Sequence, residues 1–214
     1  MSLCTPKLRS ELTSEMLSVS YHGCLQTILL LLTKMGYEEV SLADRTDFVG
    51  RNNDGGVDIR GYRPVPGGRR QVVIQVKQYM PDKLIYRNHL DTLRGVVLRE
   101  HAAEGVLITT SGFPSSLSRA DYTSASIAPL RLIDAQELTD LMALHRVGVT
   151  TVLPTDFMKE SRYRLDQEFF KKITNQFRGV VKPLPATRRF YTITIQGSAR
   201  IHRKQLAFDC SPTV

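Results

Sequence analysis

The stretch GRNNDGGVDIRGYRPVPGGRRQVVIQVKQY, residues 50–79, decides the reading of this chain. It divides into two strand-like runs joined by a polar turn rich in proline and glycine, which predicts a β-hairpin. Side chains along a strand alternate between two faces. In the second run Val73, Gln75 and Lys77 share one face, and Val72, Ile74 and Val76 the other. In the first run Asp58 shares a face with Arg60 and Tyr62. If the chain folds back about Pro66-Gly67, positions whose numbers sum to 133 lie opposite one another, so Asp58 faces Gln75. Opposed residues sit roughly 4.5–5.5 Å apart at Cβ, and Lys77 lies one step further along. A carboxylate, an amide oxygen and an ammonium then converge, which suits a hard metal ion and a phosphodiester. The alternative is an ordinary solvated strand face, since Asp, Gln and Lys are common surface residues. Against it stands the run Val72, Val73, Ile74 and Val76, which predicts a strand buried on both faces. A glutamine and a lysine in such a strand cost free energy unless paired. The glycines of Asp54-Gly55-Gly56 permit a close backbone approach just before the first strand.

Outward from the hairpin, the periodicity predicts an α/β order. A short amphipathic helix is expected over 8–18 and a buried one over Tyr21–Lys34, with Leu25, Ile28, Leu29 and Leu32 at spacings of three and four. Glu39–Leu42 reads as a strand, Leu84–His101 as a helix and Gly105–Thr109 as a buried strand. A helix opening at Pro114 is expected over 114–125, then a strand at Leu130–Ile133 and a helix at Ala135–Leu144. Strands alternating with helices in the second half imply parallel pairing with crossover helices.

These pieces resemble the catalytic domain of the Mrr-like restriction endonucleases, a branch of the PD-(D/E)XK nuclease superfamily. The matching segments are MGYEEV at 35–40, NDGGVDIRG at 53–61, VVIQVKQY at 72–79, EGVLITTSGF at 104–113 and LRLIDAQELTDLM at 130–142. They span roughly residues 20–148. The resemblance implies a restriction-endonuclease-like fold, a mixed central sheet flanked by helices, with a small basic α+β extension behind it. It implies a Mg²⁺-dependent DNA endonuclease, with Mn²⁺ able to substitute, acting in restriction or defence on foreign or modified DNA. Asp58, Gln75 and Lys77 would be the catalytic set. Asp58, Gln75 and the Val76 carbonyl would hold the metal, and Lys77 would orient the nucleophile and neutralise the transition state. Gln75 stands where the superfamily's general motif has an acid, as is typical of this branch. The superfamily often draws a supporting acid from the first core helix. Tyr21–Lys34 has no carboxylate, so Gln26 is the nearest substitute there; Asp54 in the loop would hold a second metal or a metal-bound water, with a plain Asp-Gly turn as the alternative.

DNA contacts are expected from Arg51 and Asn53 in the glycine-rich loop and from Thr110 and Ser111 where a strand meets a helix N-terminus. Ordinary capping is the alternative for the last two. Residues 1–149 carry 17 Lys and Arg against 16 Asp and Glu, whereas residues 150–214 carry 12 against 5. A near-neutral body with a basic extension suits polyanion binding. Within it Arg188, Arg189, Arg200, Arg203 and Lys204 surround an expected β-ribbon that would follow phosphates, and a helix is expected over Tyr163–Phe177. The implied organisation is an N-terminal segment (1–19), a nuclease domain (20–149) and the extension (150–214), with a boundary near Leu153-Pro154.

Three scattered cysteines offer no disulfide framework and point to a reducing cytoplasm. The histidines lack zinc-ligand spacing. The longest apolar run, Ile28–Leu32, is too short to span a bilayer. Double-stranded DNA and a second copy of the chain are the expected partners, without a membrane or a small-molecule cofactor. DNA repair or junction resolution, or a non-catalytic DNA-binding module, are the alternatives on the same fold.

Overall fold

The computed structural model describes residues 4–43, 56–123, 127–151 and 163–177. Helices α1 (Pro6–Ser18) and α2 (Tyr21–Lys34) come first. Thr5 and Ser20 cap their N-termini, each side chain accepting from a backbone N–H of the first turn. Strands β1 (Glu38–Leu42), β2 (Ile59–Val65) and β3 (Gly68–Lys77) follow, then α3 (Arg87–Arg99) and β4 (Glu104–Thr109). A short α4 (Ala120–Thr123), β5 (Leu130–Ile133) and α5 (Ala135–Leu144) complete the central layer.

The sheet order is β1-β2-β3-β4-β5, antiparallel through β3 and parallel from β3 to β5. It is the mixed sheet that the alternation implies. Strand β3 is central, and its two faces feed two cores. Val72, Ile74 and Val76 pack with Ile28, Leu32, Val106 and Ile108 beneath α1, α2 and α5. Val73 packs with Leu90, Leu93, Val97 and Leu107 beneath α3. A strand that supplies apolar side chains to both layers reads as a continuous run rather than an alternation. At Gly105 a Cβ would lie 2.6 Å from Leu130 and 2.8 Å from Val97, so α3 reaches β4 and β5 only over a bare backbone.

Two expectations are corrected. No helix opens at Pro114: among the described residues of 114–125 only Ala120–Thr123 is helical, and residues 114–119 run through turns. Ser-Ser and Ser-Arg pairs after the proline favour local side-chain turns over a continuous helix. The second correction concerns the helix expected over Tyr163–Phe177. Strand β6 (Val149–Thr151) pairs antiparallel with β7 (Tyr163–Leu165), and α6 (Gln167–Gln176) follows. Residues 163–165 are therefore a strand, not the first turn of a helix. Phe170, Ile173 and Phe177 join the α1/α2 core, and a Cβ on Gly23 of α2 would stand 3.0 Å from Ile173. The basic ribbon over 189–208 lies outside the described residues. Among those described, no helix is long and apolar enough to cross a membrane.

Candidate active site

Along β2 and β3 the register follows the expected sum. Ile59 pairs with Ile74 and Val65 with Gly68, each pair summing to 133. Asp58 lies one residue before β2, its N–H donating to Ile74 O at 2.9 Å and its carbonyl accepting from Ala43 N at 2.8 Å. Since β2 begins only at Ile59, the N–H of buried Val76 lies beyond the ladder. The Asp58 carboxylate takes that place: Oδ2 accepts from Val76 N at 2.8 Å. A buried N–H left bare would be costly, and a carboxylate acceptor makes a strong bond. Asp58 is thereby held at one position over β3.

Gln75, the next residue along β3 from Ile74, is 3 % exposed. Its Nε2 donates to Gly56 O at 2.8 Å, which fixes which end of the amide carries the oxygen. Gly56 has φ +72°, and a Cβ there would come within 2.1 Å of Gln75 Nε2. The glycine is what lets the loop backbone approach the amide. Lys77, half-buried, ends β3 on the same face as Gln75. Its carbonyl is taken by Thr110 N at 3.2 Å and Thr109 Oγ1 at 3.0 Å, which pins the strand end to β4.

Helix α2 meets this end of β3 through residues that a search for a helical acid passes over. Tyr21 OH donates to Val76 O at 3.1 Å. Cys24 is fully buried, and burial first, then the charge of Asp58, push its thiol up to about 12. The face of α2 turned to the site thus presents a phenol and an inert thiol. Gln26 Nε2 lies 3.3 Å from His22 Nε2, and the His22 ring packs edge-on against Phe177. Tyr21 and Cys24 share a stripe at spacing three, the signal that could have found them.

Thr110 and Ser111 are buried, and both hydroxyls are directed inward. Thr110 Oγ1 donates to Tyr79 O at 2.7 Å, and Ser111 Oγ lies 3.0 Å from Thr109 Oγ1. With no helix N-terminus at Pro114 behind them, their contacts are those of turn residues. Gln78, unremarked in the sequence, donates from Nε2 to Met16 O at 2.7 Å and Val19 O at 2.9 Å, closing the end of α1 onto β3. His89 in the first turn of α3 stands 6.1 Å, ring to ring, from Tyr79. Its pKa is lowered by burial foremost, and further by the nearby charges of Lys77 and Lys83. Arg51, Asn53, Asp54, Arg188, Arg189, Arg200, Arg203 and Lys204 lie outside the described residues.

The donors carried by Asp58, Gln75 and Val76 are a carboxylate, an amide oxygen and a backbone carbonyl. All are hard oxygen ligands, and the set fits a small divalent cation that keeps several waters and bridges to phosphate. Among the described residues no cluster of three His, Cys, Asp or Glu side chains forms, so a softer, protein-enclosed metal centre is not built from them.

Comparison with known proteins gives a consistent picture. A family model described as restriction endonuclease, the Mrr catalytic domain, matches residues 16–142. The type IV methyl-directed restriction enzyme EcoKMrr of Escherichia coli (strain K12) is 31 % identical over 144 residues, which is 67 % of this chain and 44 % of that enzyme. Among solved structures, the DNA modification-dependent restriction endonuclease AspBHI shares the fold at a TM-score of 0.51 and 18 % identity, over 67 % of this chain and 37 % of its own. The MspJI restriction endonuclease, solved with a 27-mer oligonucleotide, aligns at a TM-score of 0.44 and 17 % identity, over 65 % of this chain and 32 % of its own. This chain therefore spans less than half the length of these relatives.

Proposed function

Because the chain belongs to the restriction endonuclease family of the Mrr catalytic domain, we propose that it is a metal-dependent DNA endonuclease, with its active site at Asp58, Gln75, Val76 and Lys77. The observation that carries this is the geometry at the end of β3. Asp58 is clamped onto Val76 N, Gln75 onto Gly56 O, and Lys77 projects from the same face of the strand as Gln75. No packing need explains why a central strand should end in a buried amide and a half-buried ammonium.

Asp58, Gln75 Oε1 and Val76 O would hold Mg²⁺, or Mn²⁺ in its place. When bound, such an ion supplies polarisation of the phosphodiester and a readier water nucleophile. The protein supplies the rest. The Val76 N–H bond keeps Asp58 in one rotamer, and the Gly56 bond presents the oxygen end of Gln75. A carbonyl oxygen has two lone pairs, so Tyr21 OH can occupy one at Val76 O while steadying the other. Lys77 orients the attacking water and offsets charge that develops on the phosphoryl oxygens. The water oxygen bonds to phosphorus as one ester P–O bond breaks.

Double-stranded DNA is the substrate, cut by a homodimer that supplies one site per strand. The methyl-directed activity in the relative's name suggests modified foreign DNA as the target and a restriction role. Plasmid prepared with and without methylation, incubated with Mg²⁺ or EDTA, tests the reading. Mg²⁺-dependent cleavage favouring the methylated plasmid is expected, and cleavage unaffected by EDTA would reject the metal-dependent mechanism.

A further inference from the structure

Segment 78–86 joins β3 to α3 directly after Lys77, and it is held rigidly. Tyr79 O accepts from Thr110 Oγ1 at 2.7 Å. A turn over Met80–Lys83 is closed by Lys83 N donating to Met80 O at 2.9 Å, with Pro81 at the position where its fixed φ favours the turn. Ile85 is fully buried, and its N–H donates to Gly112 O at 2.9 Å. Despite three anchors, the segment turns large side chains outward. Met80 is 59 % exposed and Tyr86 56 %, two of the five most exposed large apolar side chains among the described residues. Rigidly held apolar groups left in water mark a contact surface more often than scattered exposed side chains do.

The chemistry around them identifies the occupant. Lys83 Nζ lies 3.9 Å over the Tyr79 ring, supported by a π face rather than a carboxylate. The Tyr79 ring contacts His89, whose imidazole feels the charges of both Lys77 and Lys83, so these groups share one neighbourhood. Arg87, exposed, pairs only loosely with Asp91 at 3.4 Å. Lysine is depleted from protein–protein interfaces, whereas cations interleaved with aromatic and flexible apolar side chains suit a nucleic-acid strand. Bases pack on aromatic faces, and apolar wedges enter base steps.

We infer that Met80, Tyr86 and Lys83 form a contact for the DNA strand flanking the scissile phosphodiester, with apolar contacts from Tyr86 and Met80 and a phosphate at Lys83. The inference rests on the endonuclease reading of the neighbouring site. A strand lying over Lys77 meets this segment next, because it continues from β3 without a break.

The test measures binding of a fluorescein-labelled DNA duplex to the full chain by anisotropy, in EDTA so that nothing is cut, across a salt series. The variant Met80→Ser/Tyr86→Ser should bind roughly ten-fold more weakly with an unchanged dependence on salt. Tyr86→Phe should bind like the parent, and Lys83→Ala should lower the salt slope by about one. Melting temperatures near the parent's would show that the variants are folded. Unchanged affinity of the double variant overturns the inference, and Mg²⁺-dependent cleavage by the parent would then leave the endonuclease reading standing. A parent that neither binds nor cuts DNA overturns both. Conversion of a dimeric parent to a monomeric double variant, seen by light scattering, would assign the surface to a second copy of the chain and also overturn it.

Discussion

Gly56→Ala is the sharpest perturbation available at this site, because one methyl group meets a functional side chain directly. The backbone at Gly56 has φ +72°, and the added Cβ would lie 2.1 Å from Gln75 Nε2. Left-handed backbone costs alanine roughly 1–2 kcal/mol. Gln75 is too deeply buried to swing into solvent, so moving it breaks the bond to Gly56 O and strands a buried amide, about 1–3 kcal/mol more. The sum, about 3.5 kcal/mol in mid-range, lowers the melting temperature by roughly 7–14 °C for a chain of this size. Gly67→Ala is the control. It has φ +82° at the hairpin turn but nothing within 4 Å of its Cβ, so it bears the backbone cost alone. The assay is a thermal melt of both variants beside cleavage titrated against Mg²⁺. Gly56→Ala should also need about 10–100-fold more Mg²⁺, the usual effect of disturbing the support of a metal ligand, while Gly67→Ala should titrate like the parent. Equal melting shifts for the two variants, with equal Mg²⁺ dependence, would refute both the Gln75 clash and its part in the ion site.

Two other outcomes follow from contacts around the same strand. Tyr21→Phe removes the donor to Val76 O and should cost about 0.5–1.5 kcal/mol of stability. It should raise the Mg²⁺ requirement without abolishing cleavage; an unaltered Mg²⁺ titration would remove Tyr21 from any role in positioning that carbonyl. Stability should also fall as pH drops below His22's ordinary value of 6.5, because burial lowers its pKa in the folded chain. The unfolded chain then binds the extra proton, so the stability present above that value is lost on acidification. His89 shifts in the same direction and contributes as well. His22→Gln should flatten part of the loss in melting temperature between about pH 7 and pH 5, and a variant as acid-sensitive as the parent would contradict this.

The hairpin was legible because its register depends on local quantities. Alternation fixes which residues share a face, and a Pro-Gly turn fixes which residues oppose, so the register of Ile59–Val65 against Gly68–Ile74 followed from position alone, whereas Asp58, whose N–H donates to Ile74 O, leaves that register by one residue. Helices α2 and α5 were legible for a similar reason, each combining an apolar stripe with an N-cap. The failures arose where long-range packing decides. Nothing within 114–125 reports that turns suffice between β4 and β5, and a favourable Pro114 was outweighed by the short connection. The charge shift after residue 149 responds to the surface and carries no sign of packing, whereas Phe170, Ile173 and Phe177 carry the apolar stripe that docks α6 onto α2. At the site, searching α2 for a carboxylate led to Gln26 and passed over Tyr21. Tyr21 reaches Val76 instead, and a hydroxyl-to-backbone bond across 55 residues of chain leaves no mark in local periodicity. Gln78, bonded to the end of α1, is hidden in the same way.

The central claim is that the end of β3 carries out phosphodiester hydrolysis, and Lys77→Ala tests it most directly. Lys77 is half-buried at the strand terminus, and its strand contacts run through its backbone carbonyl, which alanine retains. The measurement is plasmid cleavage in Mg²⁺ by parent and variant at matched folded fraction, with DNA binding recorded in EDTA. The account predicts cleavage by the parent and none by the variant, with melting temperature and DNA affinity close to the parent's. Cleavage by Lys77→Ala at the parental rate would contradict it and move the chemistry away from this strand.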